Sequence, residues 1–478
     1  MKRKLVLIGA GSAMFTQGLV ADLILSGKPW KLALVDTNPQ ALQTADGLAR
    51  RMVQAKEVDI EVEASTDRRD LLPGADVVVT TIGVGGRRAW LADVVIPRKY
   101  GVYQPVGDSV MAGGISRALR MVPAMVDIAR DVLKLSPGAH FFNYANPMTV
   151  NCWAVRRATG ANVVGLCIGV HHVVQQLARF IGAPPDEMTA LFAGLNHFTW
   201  IWDLRWKGRD AWPLVREQLA RQRAALARGS VQPAPAAPGG DTTLLDEGEA
   251  GRTFVASNPF SWSLFDTYGA YPAVNDRHVI EFFPERFPQG SYHGKIMGVS
   301  AFSVEEVIDW GDRIYASMRA QATGEAPLDQ GVFERAAGEH SQLLDILRAI
   351  DEDRRECYSA NLPNRGAVPN LPADTVLELT SVATARGLRP LAMPDFPDLL
   401  SAPLTRKIAA QALTVEAALT GSRKLFVEAI LADGSVSKAK LSAVGGSNGQ
   451  VLKLSSGALA WANDEQGGLT LPYSGSGA

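Results

Sequence analysis

At 478 residues the chain is too long for one small core, so one large domain or two intimately packed ones are expected. Hydrophobic residues make up 47% of it, charged residues 20%, and the formal net charge is -1. No electrostatic excess draws it toward nucleic acid or a membrane surface, and the partner this leaves is a small molecule.

The first residues read MKRKLVLIGAGSAMF. The apolar run after the basic residues is only strand length and is broken by glycines, unlike a signal peptide, and no stretch has the length of a transmembrane span. Cys152, Cys167 and Cys357 are too few and too odd in number for a disulfide framework, which favours a reducing compartment and a cytoplasmic location.

Residues 4–8 form a short apolar run followed by turn glycines, and residues 15–25 carry apolar side chains at helical spacing. Further buried-strand candidates follow at 32–35, 60–62, 77–81, 140–143 and 163–167. Strands alternating with helical segments predict an α/β fold, a Rossmann-type doubly wound parallel sheet. After about Gly194 the rhythm changes to longer helical patterns and mixed segments, which predicts a second, α+β catalytic domain. The expected division is 1–195, 196–433 and a Ser/Gly-rich tail at 434–478. Residues 229–240, rich in Pro, Ala and Gly, read as a flexible connection. Helical periodicity returns at 304–322, 333–352 and 404–431, and the tail offers only 451–454 and 458–461 as strand-like pieces.

Gly9, Gly11 and Ser12 occupy the first strand-to-helix turn, where backbone N–H groups and the positive end of a helix can approach a pyrophosphate. Met14 stands where the usual fingerprint has a third glycine. Asp36, at the end of the second strand, supports the motif: its carboxylate can accept from both ribose hydroxyls and would repel a 2′-phosphate, so NAD is preferred over NADP. The competing reading is that Asp36 caps a helix starting near Pro39. Val84, Gly85 and Gly86 fit a second cofactor-facing turn.

The order of later landmarks is more specific. Ile96-Pro97 precedes Tyr100-Gly101, then come Gly113-Gly114 with Arg117 and Arg120, and the run from Asn143 through Asn146-Pro147-Met148. Leu166-Cys167, Asn196-His197, Tyr271-Pro272, Arg277-His278 with Glu281, and Asn361-Leu362-Pro363 complete the series. In this order the chain resembles glycoside hydrolase family 4 over roughly residues 2–431.

The resemblance implies a glycosidase in which NAD⁺ takes hydride from carbon 3 of the sugar, so that the carbon 2 proton becomes acidic. A base removes that proton, the aglycone is eliminated, water adds, and the hydride returns. It also implies a divalent metal, Mn²⁺ in most members, with Cys167 and His197 as the metal candidates and His171 and His172 ranked second. Tyr271 matches the motif tyrosine and is expected as the base, its phenolate favoured by Arg277 or the metal. Asn143 and Asn146 are expected to orient the nicotinamide end and sugar hydroxyls, and Arg277 and His278 to bind substrate.

Three positions depart from the pattern. Ile168 follows the metal cysteine where members often carry a polar residue, which leaves leaving-group protonation to water, His171 or His172. Gly83 stands where members acting on 6-phosphorylated sugars tend to have arginine, so a non-phosphorylated, α-linked glycoside is expected. Pro105 replaces an acidic residue. A homo-oligomer, dimer or tetramer, is expected. The alternatives are a lactate- or malate-type dehydrogenase and a non-catalytic NAD-binding protein.

Overall fold

The computed structural model describes residues 2–228, 254–334, 341–436, 450–455 and 458–463. Its first half alternates β1 (Arg3–Ile8), α1 (Thr16–Leu25), β2 (Trp30–Val35), α2 (Pro39–Lys56), β3 (Ile60–Ser65), β4 (Val77–Thr80), β5 (His140–Asn143) and β6 (Val163–Gly165). These strands run parallel in the spatial order 3-2-1-4-5-6. Side chains of a strand alternate in direction, and here both faces are covered. Val6 and Ile8 enter one hydrophobic core while Leu5 and Leu7 enter the other. That double burial is why the strands read as unbroken apolar runs.

The order reverses at β1, with β2 on one side and β4 on the other, so their carboxyl ends open a crevice. Helices Gly86–Arg98, Met111–Leu135 and Met148–Thr159 supply the crossovers around it.

The sheet does not stop at β6. Strand Cys357–Pro363 joins it antiparallel through Asn361 opposite Gly165, and pairs in turn with strand Val376–Thr384. That strand pairs with β7 (Met188–Leu195), which forms a hairpin with β8 (Phe198–Trp206). Strand Tyr271–Ala273 lies at the far edge against β8. One 13-stranded sheet therefore crosses the expected division at 195/196, and that boundary falls inside the β7–β8 hairpin.

Two helical expectations change. Of the periodicity at 333–352, Phe333 ends a short turn that begins at Gln330, residues 335–340 lie outside the described residues, and Ser341–Asp351 is a helix. The stretch 404–431 is two helices, Asp398–Thr420 and Arg423–Asp433. Gly421 ends the first in a left-handed conformation, φ 68°, and the Ser422 side chain accepts from the Leu425 N–H to start the second. Residues 229–240 lie outside the described residues. In the tail, Gln450–Ser455 and Ala458–Asn463 pair as an antiparallel hairpin, and residues 437–449 and 464–478 lie outside. Among the described residues no helix is long and apolar enough to cross a membrane.

Candidate active site

A cleft of about 1630 Å³ runs along the carboxyl ends of the parallel strands. At one end lies the β1 turn. Gly9 has φ 97°, and an added Cβ would stand 2.9 Å from the Ile82 nitrogen; one on Gly11 would stand 2.8 Å from the Asp36 carboxylate. The turn is thus a backbone surface with no room for side chains. Gly11 N–H donates to Asp36 Oδ2 at 2.8 Å and Asn38 N–H to Oδ1 at 2.9 Å, which fixes the carboxylate beside the cleft. The cap of α2 is Asn38, whose Oδ1 accepts from Gln40 and Ala41, so Asp36 is not used as that cap. Gly9, Gly11, Ser12 and Asp36 line this part of the cleft, and so does Val84 at the β4 turn, whose carbonyl accepts from Arg120 Nε at 3.5 Å.

At the other end three side chains converge. Asp108, His197 and His278 each offer a ligand atom, and these atoms lie within 4.8 Å of one another. His197 sits at the tip of the β7–β8 hairpin with φ 71°, a left-handed backbone unusual for a residue with a Cβ. Asp108 is fixed from both sides: Ser109 Oγ donates to its Oδ1 at 2.8 Å and Asn146 Nδ2 to its Oδ2 at 2.8 Å. Having given its proton to Asp108, Ser109 accepts from the Nδ1–H of His197 at 3.0 Å. That tautomer turns the Nε2 lone pair toward an ion. The rings of His197 and His278 are 4.1 Å apart. Burial opposes the charge on Asp108, and without an ion in place the protonated forms of His197 and His278, with Arg117 and the Ser109 hydrogen bond, outweigh it and hold the carboxyl below its usual range.

The loop carrying Asp108 is seated on helix Met111–Leu135 through Gly113 and Gly114. An added Cβ would lie 2.7 Å from the Asp93 carbonyl at the first and 2.4 Å from the Ser109 carbonyl carbon at the second. Arg117, two turns along, donates to the Asn146 carbonyl at 3.0 Å. Glu281 accepts from the Val106 and Gly107 N–H groups at 2.8 Å each, tying the loop to the segment that bears Arg277 and His278.

Cys167, Asn146, Arg277 and His278 all line the cleft, together with Ile168 and His172, but of the two expected metal ligands only His197 belongs to the three-residue cluster, and Cys167 stands outside it. The Cys167 sulfur accepts from Gly169 N–H at 3.4 Å, at the start of helix Gly169–Phe180. Two expected residues are placed elsewhere. Tyr271 is 0% exposed, is packed against Phe254 and Trp262, and donates its hydroxyl to Asn275 Oδ1 at 3.0 Å. Burial and Asp276 push its phenol well above its usual range, so the structure does not bring a ready phenolate to the cleft. Asn143 is also fully buried: its Oδ1 accepts from Thr80 Oγ1 and Ala145 N–H, and its Nδ2 donates to the Ala145 carbonyl, so it shapes the β5 turn from within.

Asp108 is the residue that sequence reasoning missed. It lies in a loop without periodicity, and the one signal near it was Gly113-Gly114, whose packing against Ser109 only three dimensions show.

Comparison with known proteins gives the family. The family model described as family 4 glycosyl hydrolase matches residues 4–183, and that of its C-terminal domain matches residues 192–436. The chain is 31% identical to an alpha-galactosidase of Rhizobium meliloti, over 90% of this chain and 83% of that protein. It is 30% identical to an alpha-glucosidase of Erwinia rhapontici, over 91% and 94%. Among solved structures, a 6-phospho-alpha-glucosidase from gut microorganisms, in complex with NAD and Mn²⁺, superposes with a TM-score of 0.76 at 18% identity, covering 91% of this chain and 94% of that one. The chain belongs to family 4 of the glycosyl hydrolases and is an enzyme of that glycosidase class.

Proposed function

We propose that this cleft hydrolyses a non-phosphorylated, α-linked glycoside by transient oxidation at carbon 3, elimination, water addition and re-reduction. The observation that carries the reading is the convergence of Asp108, His197 and His278 at the far end of a dinucleotide-shaped edge. The α linkage follows the names of the two relatives, and Gly83, which lines the cleft without offering a charge, speaks against a phosphorylated sugar.

The residues fit both cofactors. Gly9 and Gly11 leave a cradle that a Cβ would fill, and Asp36 is oriented for ribose hydroxyls. The oxygen and nitrogen donors of Asp108, His197 and His278 suit Mn²⁺ better than thiolate alone, and Cys167 lines the same cleft. Asn146 Oδ1 is buried and has no hydrogen-bond partner, an acceptor left for a bound group. When bound, NAD⁺ supplies the hydride acceptor for carbon 3 and the metal supplies Lewis-acid stabilisation of its oxygen. Asp108, His197 and His278 would hold the ion, with Cys167 of the cleft wall as the expected thiolate ligand, Asn146 and Arg277 would orient sugar hydroxyls, and Ile168 lines the wall without a polar group. Proton transfer to the leaving group falls to His172, the cleft-lining imidazole outside the ion-binding cluster.

We also place the protein in the cytoplasm, since none of its three cysteines forms a disulfide, and expect it to act as a homo-oligomer with its dinucleotide half at 1–195 and its substrate half at 196–433. A panel of nitrophenyl α- and β-glycosides, uronides and 6-phosphates included, assayed with NAD⁺, Mn²⁺ and reductant tests the chemistry. Nitrophenol release without accumulating NADH is expected. Stoichiometric NADH would indicate a dehydrogenase instead, and release independent of NAD⁺ would remove the oxidative route.

A further inference from the structure

The cleft has a wall that the Rossmann half does not supply. Helix Val304–Thr323 belongs to the second half of the chain, yet it crosses the dinucleotide edge between α2 and helix Gly86–Arg98. Val307, Gly311, Ile314 and Gln321 recur at helical spacing on the side that lines the cleft, and Trp310 and Tyr315 line it beside them. The same cleft holds Asp36 and the β1 turn.

This helix is fixed along its whole length. Near its start Glu305 pairs with Arg98 at 2.9 Å. In its middle Asp312 pairs with Arg87, whose guanidinium also lies 5.8 Å from the centre of the Tyr315 ring. Near its end Gln321 Oε1 accepts from Gln17 of α1 at 3.1 Å, and its carbonyl accepts from Arg51 of α2. A dinucleotide whose ribose reaches Asp36 therefore lies beneath a roof pinned to three helices of the half that binds it.

We infer that helix Val304–Thr323 completes the adenosine site, with Trp310 and Tyr315 as its aromatic contacts and the Arg87–Asp312 pair as its clasp, so that the dinucleotide stays bound from one turnover to the next. The inference rests on the cofactor reading above. It also fits the chemistry, because a reaction that takes a hydride and returns it leaves the dinucleotide unchanged and has no need to release it. An enzyme that ends with NADH must open this site every cycle.

The experiment uses the full chain loaded with NADH and chased with excess NAD⁺, with release followed by nicotinamide fluorescence, and AMP titrated by calorimetry. Trp310→Ala should weaken AMP and NADH binding by roughly tenfold, as loss of one base-stacking contact does. Asp312→Asn, at an exposed position, should speed NADH release several-fold. If both variants keep wild-type AMP affinity and release rate, the roof is not part of the site although the cofactor reading stands. If the wild type binds neither AMP nor NADH, the cofactor reading fails and the roof with it.

Discussion

Tyr271 shows how a residue can match a motif and still be built into a wall. Its hydroxyl donates to Asn275 and its ring is enclosed by Phe254 and Trp262, so removing the oxygen should remove one buried hydrogen bond, about 0.5–1.5 kcal/mol. Tyr271→Phe is expected to lower Tm slightly while solvent deuterium still appears at carbon 2 of the sugar; loss of that exchange with Tm unchanged would return the base to this phenol. Asp108→Asn should behave in the opposite way. It keeps the shape but removes the charge between His197 and His278, so Mn²⁺ affinity should fall by at least about tenfold with Tm nearly unchanged, as read by calorimetric titration. Unaltered Mn²⁺ affinity in that variant would exclude Asp108 from the ion's shell. The places of Gly9, Gly11 and Asp36 at the cleft were legible in the sequence because they follow two strands, β1 and β2, that their own apolar runs mark, whereas Asn143 turned out to lie inside the β5 turn. Asp108 was not legible, since its partners Asn146, His197 and His278 come from three separate segments.

At the level of elements, the loop bearing Asp108 packs on a helix so closely that Gly114 has no room for a Cβ. Gly114→Ala would set a methyl 2.4 Å from the Ser109 carbonyl carbon, where only backbone can move. A cost of about 1–3 kcal/mol is expected, with Mn²⁺ affinity reduced in the same variant because Ser109 holds both Asp108 and His197. Equal Tm and equal metal binding for this variant and the wild type would show that the loop is not seated there. Strand positions were readable because each carries an apolar run: 140–143 is β5 residue for residue, and 77–81 overshoots β4 by Thr81 alone. The long helical pattern at 404–431 was misread as continuous because Gly421 and Ser422 stop one helix and start another without breaking the spacing of apolar residues.

The molecule as a whole carries a buried acid in the middle of its sheet. Glu378 lies on strand Val376–Thr384 and accepts from Thr199 Oγ1 at 2.8 Å and Ser359 Oγ at 3.1 Å. Burial raises its pKa from 4.5 to about 7, against the opposing effect of those hydrogen bonds. An acid whose folded pKa is raised binds a proton in the native state that the unfolded chain has already lost. Its contribution to stability is therefore complete below pH 4.5 and is lost as pH rises through about 7. Thermal stability should accordingly decline from pH 5 to pH 8, and Glu378→Gln should flatten that decline. Parallel Tm profiles for the two proteins would show that Glu378 does not titrate in this range.

The interleaving of the sheet also sets an order of assembly. Gly165, at the outer edge of the parallel strands, finds its neighbour only in Asn361, and β7 finds Leu379 and Glu378 later still. As the chain leaves the ribosome, the Rossmann half presents β6 as a bare edge until residues from the far end return to cover it, and bare strand edges are where chains join one another. A nascent or truncated chain ending near residue 195 should therefore be recovered in aggregates, whereas one continued through helix Arg423–Asp433 should remain dispersed. The site at His197 is completed only after that return, since its hairpin is anchored by strand Val376–Thr384.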